Sequence, residues 1–119
     1  MLTLTASLKV YLSLEPCDMR KSFNGLCALV SEHLQEDPLN GALYVFCNRS
    51  RNRLKILYWD STGLWVWAKR LEQGTFSWPR RSELSGNKLS LSPDALHLLL
   101  NGIDLNKSSR RQWYRREVA

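Results

Sequence analysis

The chain reads as an α+β fold: an antiparallel sheet of four or five strands, one long helix over its aliphatic face, and a short helix near the C-terminal end. Three observations predict this. Residues 43–79 hold four of the five tryptophans and divide into runs rich in Tyr, Val, Phe, Ile and Trp with turn residues between them, the pattern of consecutive antiparallel strands. Met19, Phe23, Leu26, Cys27, Val30 and Leu34 recur at helical spacing and trace one apolar stripe that needs a sheet to cover. Ser92-Pro93-Asp94 joins a hydroxyl cap, a first-turn proline and an acid near the positive helix end.

Taken in order, residues 1–7 lack pattern and read as a frayed end. Residues 8–14 alternate, with Leu8, Val10, Leu12 and Leu14 on one side, as a half-buried strand does. Pro16 ends the strand, and Asp18 stands where an N-cap belongs, so a helix is expected over 18–35. Pro38 stops it. Strands are then expected over 43–47, 54–59 and 64–69. The turn Asp60-Ser61-Thr62-Gly63 suits a three-residue hairpin loop with Gly63 at positive φ. That loop sets Trp59 against Trp65, Leu57 against Trp67 and Lys55 against Lys69. One face is then aliphatic, and the other carries three tryptophans and a lysine pair. Residues 75–78 read as a short final strand or edge, and 80–90 as an exposed loop. Leu96, Leu99, Leu100 and Ile103 stripe the last helix, with Gly102 as its stop. Residues 1–105 thus make a single domain, and 106–119 a basic tail without firm pattern.

Composition narrows the function. A length of 119 residues suits one domain, and the absence of a long apolar run or signal pattern leads us to expect a cytoplasmic protein without membrane contact. Cys17, Cys27 and Cys47 are odd in number and show no CxxC spacing, so neither a disulfide framework nor a zinc knuckle is expected. The net charge of +6 is uneven. Residues 1–40 carry three basic and five acidic groups, 41–91 nine and three, and 92–119 five and three. A positive field over the hairpins favours a polyanion, and it also serves solubility.

Within that field Arg49, Arg51, Arg53 and Lys55 alternate, so in an extended chain they point the same way and would neutralise successive phosphates. A solvated hairpin tip that discourages edge pairing explains the same run. Trp59, Trp65 and Trp67 have three readings: stacking on unpaired bases, a second hydrophobic layer, or anchors of a protein interface. No catalytic constellation stands out. His33 and His97 lie on separate predicted helices without metal spacing, the acids Asp18, Asp60 and Asp94 each have a turn or cap explanation, and Gly86-Asn87-Lys88 lacks the frame of a phosphate loop. We expect no enzyme activity, metal, cofactor or small-molecule substrate.

The phrases DMRKSFNGLCALV, LYVFCNRSRNRLKILYWDSTGLWVWAKRLEQGTFSWP and LSPDALHLLLNGID, in this order, resemble the TnpB-type accessory proteins of the IS sixty-six family of insertion sequences. These are distinct from the RNA-guided nucleases that share the TnpB name. The likeness spans roughly residues 8–105. Ser22 and Asn24 depart from the family's usual Gly and Asp. The matching positions are Arg20, Lys55, Trp59, Asp60, Gly63, Trp67, Lys69, Arg70, Phe76 and Pro79. Turn formation accounts for Asp60 and Gly63, whereas Lys55, Lys69 and Arg70 have no such local reason. The resemblance implies a small bacterial protein encoded beside a separate transposase and assisting movement of the element. The expectation is a non-enzymatic accessory protein that contacts DNA through Arg49, Arg51, Arg53, Lys55, Lys69 and Arg70. The alternative is an adaptor for the transposase, with Trp59, Trp65 and Trp67 at the interface.

Overall fold

A computed structural model describes residues 7–79 and 86–102. The expectations for residues 1–6, for 80–85, for Ile103 and for the tail 106–119 lie outside the described residues.

The elements are β1 (Val10–Ser13), α1 (Phe23–Glu32), β2 (Leu43–Cys47), β3 (Arg53–Trp59), β4 (Leu64–Arg70), β5 (Lys88–Leu91) and α2 (Pro93–Leu100). They form a five-stranded sheet in the order β4-β3-β2-β1-β5. The sheet is mixed rather than purely antiparallel, because β1 and β2 run parallel, with Val10 opposite Leu43 and Leu12 opposite Val45. The cause is α1 itself: a helix inserted between two neighbouring strands returns the chain to the same end of the sheet, which makes the second strand parallel to the first. Every other pairing is antiparallel.

The long helix is shorter than its stripe suggests. Asp18 does not cap it, because its carboxylate accepts from the Arg20 backbone N–H at 2.9 Å and from the Arg20 guanidinium. The helix starts after Ser22 instead. It ends at Glu32 because Gln35 turns left-handed at φ 54° while the Glu36 N–H reaches back to the Val30 carbonyl at 3.1 Å, a closing pattern that satisfies the last free carbonyls. The C-terminal helix follows its sequence signals: Ser92 Oγ accepts from the Ala95 N–H at 3.1 Å, and Gly102 adopts φ 77°.

Both faces of the sheet are covered. On one, Leu26, Val30 and Leu34 of α1 pack on Tyr44, Phe46 and Leu57, with Leu64 and Val66 alongside. On the other, Leu96 and Leu99 of α2, with Phe76 and Trp78, pack on Val10, Leu12, Val45, Leu54 and Ile56. The segment 75–78 is therefore an irregular strap, not a strand. Its Phe76 is 1% exposed, and the Trp78 Nε1–H donates to the Ser13 carbonyl at 3.0 Å. The expected exposed loop over 80–90 gives way at its far end to β5, whose Leu89 and Leu91 lie opposite Leu12 and Val10. Cys17 and Cys47 are buried and Cys27 half-buried, all as free thiols. Desolvation pushes the Cys47 thiol up to about 11.

Candidate nucleic-acid interface

The register of β3 and β4 decides which side chains share a face, and it differs by one residue from the sequence expectation. Trp59 pairs with Leu64, Tyr58 with Trp65, Ile56 with Trp67, Lys55 with Ala68, Leu54 with Lys69 and Arg53 with Arg70. The hairpin tip sets this shift. The Asp60 carboxylate accepts from the backbone N–H groups of Thr62 and Gly63, from the Thr62 hydroxyl, and from the Trp65 Nε1–H at 2.7 Å. Those donors, the indole first, hold its carboxyl well below the usual carboxylate range. Ser61, not Gly63, takes the left-handed conformation, at φ 84°. The loop holds four residues, 60–63, and the ladder closes one step away from the three-residue alternative.

Because side chains alternate along a strand, that single step moves all of β4 to the opposite face relative to β3. The single basic, aromatic face expected from sequence does not form. Trp65, Trp67 and Lys69 lie on the face covered by α2; Lys55, Arg53 and Trp59 lie with Arg70 on the face covered by α1. Lys55 and Lys69 are each drawn toward a carbonyl of their own side. The Lys55 ammonium donates to the Lys21 carbonyl at 2.8 Å, and the Lys69 ammonium donates to the Leu100 carbonyl at the end of α2, at 2.6 Å. The indoles form a ladder: Trp65 stacks on Trp67 at 5.7 Å and Trp67 on Tyr58 at 6.1 Å.

What the fold does bring together is a different basic cluster, at the end of the sheet where β2 turns into β3. Asn48 builds that turn, its Oδ1 accepting from the N–H groups of Asn52 and Arg53, both at 3.1 Å. Arg51 closes it at φ 59°, and Arg49 and Arg51 project exposed. The strap anchors the turn through Phe76 N–H to the Arg51 carbonyl at 2.7 Å, and the residue after β4 holds it through Leu71 N–H to the Asn52 carbonyl at 2.8 Å. Beside the turn, the segment before α1 is tied to β2 by the Cys17 N–H on the Cys47 carbonyl at 2.8 Å. A hollow of about 600 Å³ opens between them, lined by Arg20, Arg49 and Arg53 among others. It adjoins a second of about 410 Å³ lined by Arg53, Lys55, Lys69 and Arg70 among others, with Met19 and Arg53 common to both.

Arg53 and Arg70 are cross-strand partners. The hydrogen-bonded pairs of this ladder follow from its two ends, where Asp60 N–H meets the Gly63 carbonyl and Leu71 N–H the Asn52 carbonyl. Counting in steps of two makes Arg53 and Arg70 a non-hydrogen-bonded pair, the type that brings side chains closest. Like charges in that position destabilise a sheet. Glu72 partly offsets Arg70, at 3.1 Å. Arg20 is similarly engaged by Asp18 at 2.8 Å, which lowers the Asp18 carboxyl to about 2, chiefly through side-chain hydrogen bonds from Arg20. For Arg49, Arg51 and Arg53 no carboxylate partner is found among the described residues. Arg20 joins the cluster from a distant part of the chain. Its only signal in the sequence is its place among the matching family positions.

Among the described residues no three His, Cys, Asp or Glu side chains are close enough to hold a metal ion, and no helix is long and apolar enough to cross a membrane. His33 and His97 are exposed on separate elements.

Comparison with known proteins gives a consistent picture. The chain is 35% identical over 104 residues to the uncharacterized protein y4jC of Sinorhizobium fredii, covering 87% of this chain and 86% of that protein. It is 38% identical over 98 residues to the uncharacterized protein y4hO of the same organism, covering 82% and 83%. No solved structure matches. Residues 8–110 match the family described as IS66 Orf2 like protein. The chain therefore belongs to the IS66 Orf2-like family, which ties it to the transposition of an insertion sequence as an accessory protein.

Proposed function

We propose that this protein acts without enzymatic chemistry of its own and contacts DNA during transposition, gripping phosphates with Arg53 and Arg70 and extending the contact through Arg49, Arg51 and Lys55. The observation that carries this reading is the Arg53–Arg70 pair. Two guanidiniums held side by side on one face weaken the sheet when empty. A phosphate placed between them turns that repulsion into two charge-assisted contacts. The two adjoining hollows supply room for a backbone beside the pair. Lys69, on the opposite face of the sheet from the arginine pair and with its ammonium on the last carbonyl of α2, is assigned a structural role, whereas Lys55 shares the face of the pair.

The rival reading, an adaptor that binds the separately encoded transposase without touching DNA, draws on Trp65, 48% exposed and held by Asp60. A salt titration separates the two. Binding to a duplex oligonucleotide, followed by fluorescence anisotropy, is expected to weaken linearly in log–log form at about 0.9 per phosphate contact. Binding to the transposase through an apolar patch responds weakly to salt. An absence of duplex binding at low salt, together with salt-insensitive binding to the transposase, would overturn the DNA reading.

A further inference from the structure

The outer edge of β4 is a feature that the DNA reading leaves unused. Among the described residues β4 ends the sheet and pairs with β3 alone. Trp65, Trp67 and Lys69 make the inward hydrogen bonds to β3. The backbone N–H and C=O groups of Leu64, Val66, Ala68 and Arg70 therefore point outward, and they meet no partner among the described residues. An edge of seven residues that the described residues leave open is a template for another strand.

The side chains along that edge are graded. Leu64, Trp65, Val66, Trp67 and Ala68 are apolar, and the cations Lys69 and Arg70 stand at one end only. This asymmetry selects the incoming strand. A parallel copy would set cation against cation. An antiparallel copy turned about a two-fold axis through Val66 sets Leu64 against Ala68 and Trp65 against Trp67, and leaves Lys69 and Arg70 beyond the paired core at opposite ends. The exposed indole of Trp65, already fixed by Asp60 and by stacking on Trp67, then gains an aromatic neighbour across the seam, a cross-strand pair of the kind that stabilises sheets.

We infer that β4 is the seam of a homodimer, two copies joining edge to edge in antiparallel register so that the sheet runs on through ten strands. Such a contact is isologous and closes on itself, as two-fold interfaces do. The axis stands perpendicular to the sheet, so both copies present the α1 face, and with it the Arg53–Arg70 pair, on the same side. The charge at the two ends keeps the pairing from sliding into an open fibre. The dimer does not depend on the DNA reading, since its seam uses backbone groups and side chains that the phosphate contact does not.

Sedimentation equilibrium of the full chain without DNA tests this. The wild type is expected to move from a 13.8 kDa species to twice that mass as concentration rises from micromolar to submillimolar. Ala68→Pro removes an outward N–H from each copy while sparing the ladder to β3, an edge position that proline tolerates. It is expected to weaken the dimer on the order of thirtyfold through two lost hydrogen bonds. Trp65→Lys, placing a cation against the facing indoles' apolar seam, is expected to weaken it comparably and decides the matter if the proline variant loses its circular dichroism. A wild type that stays at monomer mass throughout overturns the inference. So does a dimer indifferent to both substitutions, which would locate the contact elsewhere.

Discussion

Replacing Arg53 with Thr should make the protein more stable and worse at holding DNA. Arg53 faces Arg70 in a close, non-hydrogen-bonded pair, where like charges cost a few tenths to about 1 kcal/mol. Glu72 beside Arg70 absorbs part of that cost, so we expect a gain of about 0.5 kcal/mol, aided by the strand preference of Thr. For a domain of this size that raises Tm by about 2 °C. The assay is thermal unfolding by circular dichroism at low and at high salt. The gain should shrink as salt screens the repulsion it relieves, and Arg53→Lys, which keeps the charge, should show little of it. In duplex binding the Thr variant should lose about 0.9 from its salt slope. A lower Tm at low salt, or an unchanged one together with an unchanged slope, would refute the argument that the pair is kept at a cost to folding for the sake of an anion.

Three other outcomes follow from the geometry. Lys69→Ala should leave the salt slope for DNA unchanged while destabilising the protein by about 1 kcal/mol in urea, since its ammonium serves the Leu100 carbonyl. Phe76→Ala should cost about 3–5 kcal/mol in the same assay, because a fully buried ring fixes the strap under the sheet. Asp60 has a folded-state carboxyl depressed below its unfolded value by Trp65 and the turn amides, so its contribution is complete above about pH 4–5 and fades as acid protonates it. Asp60→Asn should accordingly be less stable than wild type at pH 7, and the gap between the two unfolding curves should narrow steadily as pH falls below the ordinary carboxylate range.

Much of the fold was legible because its signals are local. The strand runs 43–47, 54–59 and 64–69 fall within a residue of β2, β3 and β4, and the Ser92-Pro93-Asp94 start of α2 stands as read. What failed depended on tertiary choices. A hairpin loop of three residues and one of four share the same letters Asp-Ser-Thr-Gly, and only the four simultaneous donors on Asp60 decide between them. That one-residue difference dispersed the expected cation and indole face and placed Arg53 beside Arg70 instead. β5 was hidden because four residues, Lys88–Leu91, alternate too briefly to register, and the parallel β1–β2 pair because strand direction is set by the crossover. Of the site residues named from sequence, Arg53, Lys55, Lys69 and Arg70 line one hollow and Arg49 its neighbour. Arg51 sits on the same turn, and the Lys69 ammonium is committed to α2.

The most direct test of the phosphate grip is the difference in salt dependence between the wild type and a doubly substituted Arg53→Ala, Arg70→Ala protein on the same duplex, measured by anisotropy from low to moderate salt. Two lost phosphate contacts predict log–log slopes that differ by about 1.8, with both proteins folded by circular dichroism. Parallel lines would contradict the account, and would show that the cross-strand arginines meet no phosphate.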